Sequence, residues 1–536
     1  MAFLRHETKK SGTYLRIVQS YRDDDGKNKH KTLYNLGKLE DYNPDALKKI
    51  GQTLFELAGG TITELEKKQL HEITRIYYGF PLIVNKLLSF YGLDVFLNGV
   101  SSDKNLKYSL YQSVTLLISE RLHDPVSKLS SYLNQKDYIG LERLELQHLY
   151  RTLDHLHEKE EQIKSLIYSK GRNLFNQKLD VVFYDVTTFY FNSDIEDGFR
   201  QKGFGKDGGI GDTIICFGLL IDQNKQPVGY EVYRGKKYEG HTFSDAIDRL
   251  KKKYRIEKII CVADTGMMNK DNVKEVEASD YEFIFGERIK SISEKRHDEI
   301  LDITKYKIIE IEDADENEKI SVKYYLTDYN GKKLILTYSS KRAAKDKHER
   351  DEKIKRAEEY LKNPSGLEKK SKNYFLKKLS KENYVIDEEK IKKSARFDGF
   401  FGISTNNKDL SVAQILDAYK QLYKIEQSFR TFKSFLETRP MFHWTESRIL
   451  GHLNLCYISF TLLNHLQLQL QKNNTPQSEN NIRKNLINMQ MSLISQNDHE
   501  YYLRSKTSEG TKQIMRVLSI KELPDLIPEE KISQYL

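Results

Sequence analysis

The fold of this 536-residue chain is decided by LDVVFYDVTTFYF (Leu179–Phe191). Its Val, Phe and Tyr residues predict a strand inside a sheet. It also contains Asp185, although an isolated carboxylate is costly to bury unless it is paired or binds a metal. A similar run, IICVAD (Ile259–Asp264), ends in a second aspartate, Asp264. For either aspartate alone, a salt bridge or a capping role is the simpler explanation.

The segments between the two runs predict how the runs lie relative to each other. In chain order they predict a strand, a turn, a strand and a helix: Asp212–Leu220, Asp222–Pro227, Val228–Tyr233 and Thr242–Tyr254. A helical crossover normally returns a strand parallel to its predecessor, with right-handed winding. If the second run lies beside the first, the two aspartates meet near one sheet edge, where ligands collect in open α/β sheets.

A third acid stands on a predicted helix, AYKQLYKIEQSFRTFK (Ala418–Lys433). A capping box of Ser411 and Gln414 precedes it, and neither Gly nor Pro interrupts the run before Pro440, so a continuous helix of roughly seven turns is expected. At about 100° per residue, one stripe of this helix holds Glu426 together with four other side chains. They are Tyr419, Tyr423, Arg430 and Lys433. Taken alone, this pattern is also typical of a surface helix with a Glu426–Arg430 pair.

In order and in residues these segments resemble the catalytic core of DDE transposases from bacterial insertion sequences. The closest resemblance is to the superfamily with a Tyr-Arg-Glu-Lys signature, in its insertion-sequence-four type with large transposases. Tyr419, Glu426 and Lys433 have the spacing of that signature, and Leu422 occupies the Arg position. Five blocks carry the resemblance: Tyr184–Phe191, Val262–Asn272, Phe397–Asn406, Ser434–Leu453 and, more weakly, Tyr14–Leu39.

The resemblance implies a catalytic triad of Asp185, Asp264 and Glu426 that binds two Mg²⁺ ions, with Mn²⁺ as a substitute. Two such cations, about 3.5–4 Å apart, can activate an attacking oxygen and stabilise a leaving one at phosphorus. Carboxylate oxygens suit these hard cations. The implied reaction is cleavage at the terminal inverted repeats of the element, followed by joining of the 3′-hydroxyl ends to target DNA. A homodimer that pairs two ends is implied as well.

The expected DNA contacts lie on two predicted helices. They are Tyr419, Lys433, Arg430, Lys424, Lys341, Arg342 and Lys345. Arg430 is the proposed substitute for the arginine that Leu422 replaces. The last three residues begin a basic segment, Lys341–Lys393, whose first part, Lys341–Leu361, is predicted to be a helix. This helix is either a solvated helix with i,i+4 ion pairs or a surface for the DNA backbone with salt-dependent affinity.

Composition agrees with a nucleic-acid partner without proving one, since the formal charge is +9 and the pI is about 8.9.

The start of the chain shows no signal peptide. Cys216, Cys261 and Cys456 lack metal-ligand spacing, which favours reduced cysteines in a cytosolic protein, and the resemblance implies that the cytoplasm is bacterial. The apolar run Ile449–Leu470 contains His and Asn residues, so it predicts a buried helix and no membrane span. GFGKDGG (Gly203–Gly209) lacks the spacing of a nucleotide-binding P-loop.

The predicted fold class is α/β, with a ribonuclease-H-like mixed-sheet core and a β-rich insertion between the second and third acids. Six segments are expected: a β-hairpin module (1–42), a mainly helical DNA-end-binding region (43–178), the first part of the core (179–290), the β-rich insertion with a basic helix (291–405), the second part of the core with the catalytic helix (406–471), and a helical tail for dimerisation (472–536). The only tryptophan, Trp444, is expected to pack against the next helix, with base stacking as the alternative.

Two other functions fit the same residues. A ribonuclease-H-fold endonuclease or resolvase would use the same acids and metals without joining strands. An inactive DNA-binding relative would keep the basic surfaces but lose an acid, and all three acids are present.

Overall fold

The computed structural model describes residues 2–24, 26–59, 71–175, 181–193, 195–204, 210–235, 260–263, 282–313, 318–362, 375–379, 384–496 and 499–535. The chain divides into two compact units. The first contains Met1–Arg75, Ser492–Leu503 and Asp525–Tyr535, and the second contains Ile76–Met491 and Arg504–Pro524.

The chain begins with an antiparallel sheet of three strands, β1 (Ala2–Lys9), β2 (Gly12–Arg22) and β3 (Asn28–Lys38). The predicted hairpin corresponds to β2 and β3, and β1 adds a strand at the other edge of β2. Helix α1 (Pro44–Leu57) starts at Asn43, whose side chain accepts a hydrogen bond from the Ala46 N–H, as expected of an N-cap. Strand β4 (His71–Tyr77) follows.

Six helices come next: α2 (Gly79–Phe90), α3 (Leu93–Asp103), α4 (Leu110–His123), α5 (Lys128–Asn134), α6 (Leu146–Glu158) and α7 (Glu160–Phe175). Helix α4 is central, because α2, α3, α5 and α6 all contact it and every residue from 113 to 122 is buried. Among the described residues no single helix is long and apolar enough to cross a membrane. One pair, α2 and α3 with an 87° bend, meets the length and composition test only when taken together.

The core sheet contains β5 (Val181–Tyr190), β6 (Gln201–Phe204), β7 (Ile210–Asp222), β8 (Pro227–Arg234), β9 (Ile260–Ala263) and β10 (Glu282–Glu287). Its strand order is β8-β7-β5-β9-β10, with β6 also paired to β7. Strands β5, β9 and β10 run parallel, and β7 is antiparallel to β5 and β8. The predicted parallel pairing of the two aspartate-containing strands is therefore confirmed. The predicted crossover helix lies outside the described residues.

The insertion contains α8 (His297–Ile300), β11 (Lys307–Asp313), β12 (Glu318–Tyr329), β13 (Lys332–Tyr338), α9 (Ser340–Lys362), β14 (Leu376–Lys378), β15 (Tyr384–Ile386), α10 (Glu388–Ala395) and β16 (Phe400–Thr405). Asn330 and Gly331 both have positive φ, as the tight turn between β12 and β13 requires. Strand β16 pairs with both β10 and β13, so the strands of the insertion extend the core sheet to ten strands.

The last part contains α11 (Val412–Lys420), α12 (Tyr423–Arg430), α13 (Glu446–Lys472), α14 (Glu479–Ile487), β17 (Gln490–Gln496), β18 (His499–Arg504), α15 (Glu509–Val517) and β19 (Leu526–Pro528). Helix α13 is buried along most of its length, which confirms the predicted buried helix. The expectation of a purely helical tail is wrong, because β17, β18 and β19 pair in one sheet with β4. This pairing joins segments far apart in sequence, which local helical patterns do not reveal.

Candidate active site

Asp185 lies in the middle of β5, where the sheet is otherwise apolar. Its neighbours Tyr184 and Val186 are fully buried on the opposite face of the strand, whereas Asp185 itself is half-buried. One carboxylate oxygen, Oδ1, accepts a hydrogen bond of 2.7 Å from the Val186 N–H. Phe183 and Thr187, which share the face of Asp185, are buried as well, so Asp185 is a half-buried carboxylate within a buried stretch of a central strand.

Glu426 is exposed in the first turn of α12, and this helix packs against β5 and β7. Lys424 helps to hold the helix there, because its Nζ donates to the Gln223 carbonyl at 2.7 Å and to Gln421 Oε1 at 3.1 Å. Gln223 lies in the turn between β7 and β8. The structure thus brings the helix with Glu426 against the strand with Asp185, and it assigns Lys424 a contact that fixes this arrangement.

Asp264 is the residue directly after β9, and it lies outside the described residues. Strand β9 itself is next to β5 in the sheet. Within the described ranges, no group of three or more His, Cys, Asp or Glu side chains is arranged to hold a metal. The chemistry of the available donors still fits Mg²⁺, since Asp185 and Glu426 both offer carboxylate oxygens.

The helix predicted from Ala418 to Lys433 is interrupted twice. At the first break the N–H groups of Leu422, Lys424 and Ile425 bond the carbonyls three residues back, at 3.1, 3.0 and 3.1 Å, so α11 ends and α12 begins. At the second, Thr431–Phe435 forms a π-helical turn. The spacing of 3.6 residues per turn therefore does not extend from Glu426 to Tyr419 or Lys433. Such π-turns are frequently found at functional sites.

Two predicted DNA contacts from separate segments meet at one aromatic ring. The Arg342 guanidinium lies 4.4 Å from the Phe401 ring centroid, and the Phe401 ring lies 5.2 Å from that of Tyr419. Arg342 also faces Asp346 at 3.9 Å, an exposed pair that contributes little to stability. Phe401 thus lies between two predicted contact residues, and the sequence prediction did not include it although it lies in the block Phe397–Asn406.

The other predicted contacts are distributed over the surface of the same elements. Lys341 and Lys345 are exposed on α9, and Lys345 faces Glu349 at 3.8 Å. Arg430 is exposed at the end of α12. Lys433 is half-buried within the π-turn. These positions leave Arg430 and the two lysines of α9 accessible to a large ligand.

The end of the π-turn is fixed by two arginines that the sequence prediction missed. Arg483 donates to the carbonyls of Phe435 and Leu122, both at 2.8 Å, and Arg121 donates to that of Leu436 at 3.0 Å. Cations at a helix C-terminus stabilise its free carbonyls. No local pattern reveals such contacts, because Arg121 is 315 residues from Leu436 in the sequence.

Trp444 differs from its expected position. The expectation that it packs against the next helix is wrong, since its side chain is 60% exposed. The Arg200 guanidinium lies 5.7 Å from its ring.

Comparison with known families assigns the chain to one of them. A family model described as a transposase DDE domain matches residues 176–458, which is more than half of the sequence. The chain belongs to the transposase DDE domain family. A second model, for the N-terminal domain of IS1634 family transposases, matches residues 4–63. The predicted insertion-sequence DDE transposase and its ribonuclease-H-like mixed-sheet core are thereby confirmed.

Several solved transposase structures are similar to this DDE transposase at low identity. A piggyBac transposase synaptic complex with hairpin DNA has 12% identity, covers 77% of this chain and 80% of that chain, and has a TM-score of 0.36. A Mos1 mariner paired-end complex with Mn has 10% identity, covers 32% and 57%, and has a TM-score of 0.14. No curated protein matches the chain. DDE transposase domains generally use divalent metals.

Proposed function

We propose that this transposase binds the terminal inverted repeats of an insertion sequence, cleaves the ends and joins the 3′-hydroxyl ends to target DNA. The observation that carries the proposal is the packing of α12, with Glu426, against β5, with Asp185, inside the DDE domain. We place the reaction in the bacterial cytoplasm, where the element's DNA lies.

The strand register supports a shared site for the two aspartates. The last residue pair between β5 and β9 is Phe183 with Val262, and Asp185 and Asp264 each stand two residues beyond that pair. Strands that continued in this parallel register would bring the two positions to the same level of the sheet. Asp185 would bridge two Mg²⁺ or Mn²⁺ ions, Asp264 would hold one of them and Glu426 the other. When bound, these cations would activate the attacking oxygen and stabilise the leaving one.

The DNA would run over the accessible cations near this site. Arg430 follows Glu426 by one helical turn, so its exposed guanidinium can bind a backbone phosphate of the end that is cut. Tyr419 and Lys433 are the further contacts on the catalytic segments, and Lys424 holds the helix while remaining near the same DNA. Lys341, Arg342 and Lys345 would bind the backbone along α9. Because two ends must be paired before they are joined, we propose a homodimer as the active form.

The proposal is tested by incubating the full-length protein with labelled duplexes that carry the terminal inverted repeat, a target plasmid and Mg²⁺. The expected result is cleavage at the repeat boundary followed by joining of the labelled 3′ end to the plasmid. Cleavage without joining would favour the endonuclease or resolvase instead. Duplexes with a scrambled repeat are the control, and equal cleavage of both substrates would contradict recognition of the repeat.

A further inference from the structure

A basic cavity of about 380 Å³ lies in the second unit, beyond the end of the catalytic helix. Its walls come from the segment between α4 and α5, from α6, and from the loop that leads to α13. Cations and rings share the lining: Arg121, Lys128, Arg448, Tyr150, Phe442 and Trp444. Glu437 is the one carboxylate among its described lining residues. The composition of the cavity therefore favours an anion.

Lys128 is a buried cation of this cavity, and the described part of the chain offers its ammonium no hydrogen-bond acceptor. Its side chain is only 5% exposed, and no hydrogen bond or ion pair of its ammonium occurs among the described residues. Burial, together with repulsion from Arg121, lowers the pKa of Lys128 to about 7. Glu120 is an acid whose charge acts on Lys128, and burial raises the pKa of its carboxyl to about 7, so it offsets the ammonium charge only in part. A buried ammonium of this kind gains from an anionic ligand.

The neighbouring cations are held in place by other contacts. Arg121 donates to the carbonyls of Leu436 and Glu437. The Arg448 guanidinium lies 5.1 Å from the Tyr150 ring centroid and 3.5 Å from Asp154 Oδ2. These contacts fix the orientation of both guanidinium groups. The only carboxylate among them is that of Asp154, which pairs with Arg448 and is not a lining residue of the cavity.

The lowered pKa of His443 reflects the positive charges around this cavity. Burial first, and then the charges of Lys128, Arg121 and Arg448, lower the pKa of His443 to about 3. His443 therefore stays neutral near pH 7 and does not compete with an anion for the cations.

We infer that this cavity binds a backbone phosphate of the transposon-end DNA, with the Lys128 ammonium as its main ligand and Arg448 as a second. The inference rests on the proposed function, because it assumes that DNA passes the catalytic helix. The loop of the cavity follows the π-turn directly, so a phosphate bound here would hold DNA that passes the catalytic helix. The rings of Phe442 and Trp444 belong to the same loop, line the cavity and are exposed.

Trp444 gives a local signal for the test, because it is the only tryptophan of the chain. Full-length protein is titrated with a repeat-containing duplex in EDTA, and both Trp444 emission and binding anisotropy are followed at several salt concentrations. Lys128→Met is expected to weaken binding about tenfold. It should also reduce the salt slope, which is the slope of the logarithm of the binding constant against the logarithm of the salt concentration, by about 0.9, the value for one phosphate contact. Its emission should also change less on binding. Lys136→Met, at an exposed lysine just after α5, is the matched control and should behave as wild type.

Folding is checked separately, since Lys128 is buried. Methionine removes a buried charge at similar volume, so the melting temperature of Lys128→Met should equal or exceed that of wild type. If this variant does not fold, Arg448→Gln replaces it, with an expected loss of affinity and of salt slope in the same direction.

Two results would overturn the inference. In one, Lys128→Met binds the duplex with the affinity and salt slope of wild type, while wild type still cleaves the repeat. The proposed function would then hold, but this cavity would not be a phosphate site. In the other, inorganic phosphate changes Trp444 emission through Lys128 but the duplex does not, which identifies a site for free anions. If wild type binds no repeat DNA at all, the proposed function fails together with the inference.

Discussion

Arg430 is the residue whose role as a DNA contact is tested most simply, because its guanidinium is exposed one turn beyond Glu426. Arg430→Ala is expected to lower the affinity for repeat DNA about fivefold and to reduce the salt slope by about one phosphate contact. Binding anisotropy measures both quantities, with Lys512→Ala, at an exposed lysine of α15, as the control. If Arg430→Ala binds and cuts as well as wild type while Lys433→Ala does not, Arg430 does not substitute for the arginine that Leu422 replaces.

The pKa of His465 leads us to expect that the free energy of unfolding depends on pH. Burial, with a smaller effect of Lys472, lowers its pKa to about 4, and its Nδ1 lies 3.0 Å from the Tyr91 hydroxyl. Below about pH 6.5 the unfolded chain binds a proton that the folded chain does not. The free energy of unfolding should therefore fall as the pH drops from about 6.5 towards 4, by up to about 1.4 kcal/mol per pH unit for this group.

Urea unfolding at several pH values measures that slope. His465→Gln keeps a hydrogen-bonding side chain but does not titrate. It should therefore reduce the slope of the unfolding free energy against pH by up to about 1.4 kcal/mol per pH unit, the contribution of one proton. An unchanged slope would show that His465 already takes up its proton in the folded state.

At the scale of elements, the segment predicted as a single helix around Glu426 shows which features are local. Its start, which is the start of α11, follows from nearby residues, because the predicted capping box of Ser411 and Gln414 forms as expected. Its interruption at Leu422 does not, since no Gly or Pro marks it. Helix α11 packs against β9, β10 and β11, whereas α12 packs against β5 and β7, so the chain follows two surfaces in succession. A helical pattern alone contains no information about those surfaces.

Gly451 tests the packing of α13, the longest helix of the described residues. A Cβ at this position would lie 1.9 Å from the Leu153 carbonyl oxygen in α6. Gly451→Ala is therefore expected to reduce the free energy of unfolding by about 2–3 kcal/mol through overpacking. Gly99→Ala in α3 is the matched control, because nothing lies within 4 Å of its Cβ, and it should be neutral or stabilising by up to about 1 kcal/mol. Equal urea midpoints for both variants would contradict the close contact of α13 with α6.

At the scale of the whole molecule, the sequence predicts which strands form better than how they pair. The pattern of Val, Ile and aromatic residues predicts β5, β7 and β8. It does not show that β16 joins the insertion to β10, because strand pairing depends on residues far apart in the chain. The same limit applies to the arginines that hold the π-turn. The two candidate aspartates, in contrast, stand out in the sequence because apolar strands seldom contain carboxylates.

The central claim is that Asp185, Asp264 and Glu426 act together in one metal-dependent site on DNA. The most direct measurement is the rate of repeat-end cleavage in Mg²⁺ by Asp185→Asn, Asp264→Asn and Glu426→Gln, with Asp417→Asn on α11 as the control. Each triad variant should still bind the repeat but lose at least about a thousandfold in rate, which corresponds to roughly 4 kcal/mol, whereas the control should cleave normally. Cleavage at the wild-type rate by the three triad variants would contradict the account.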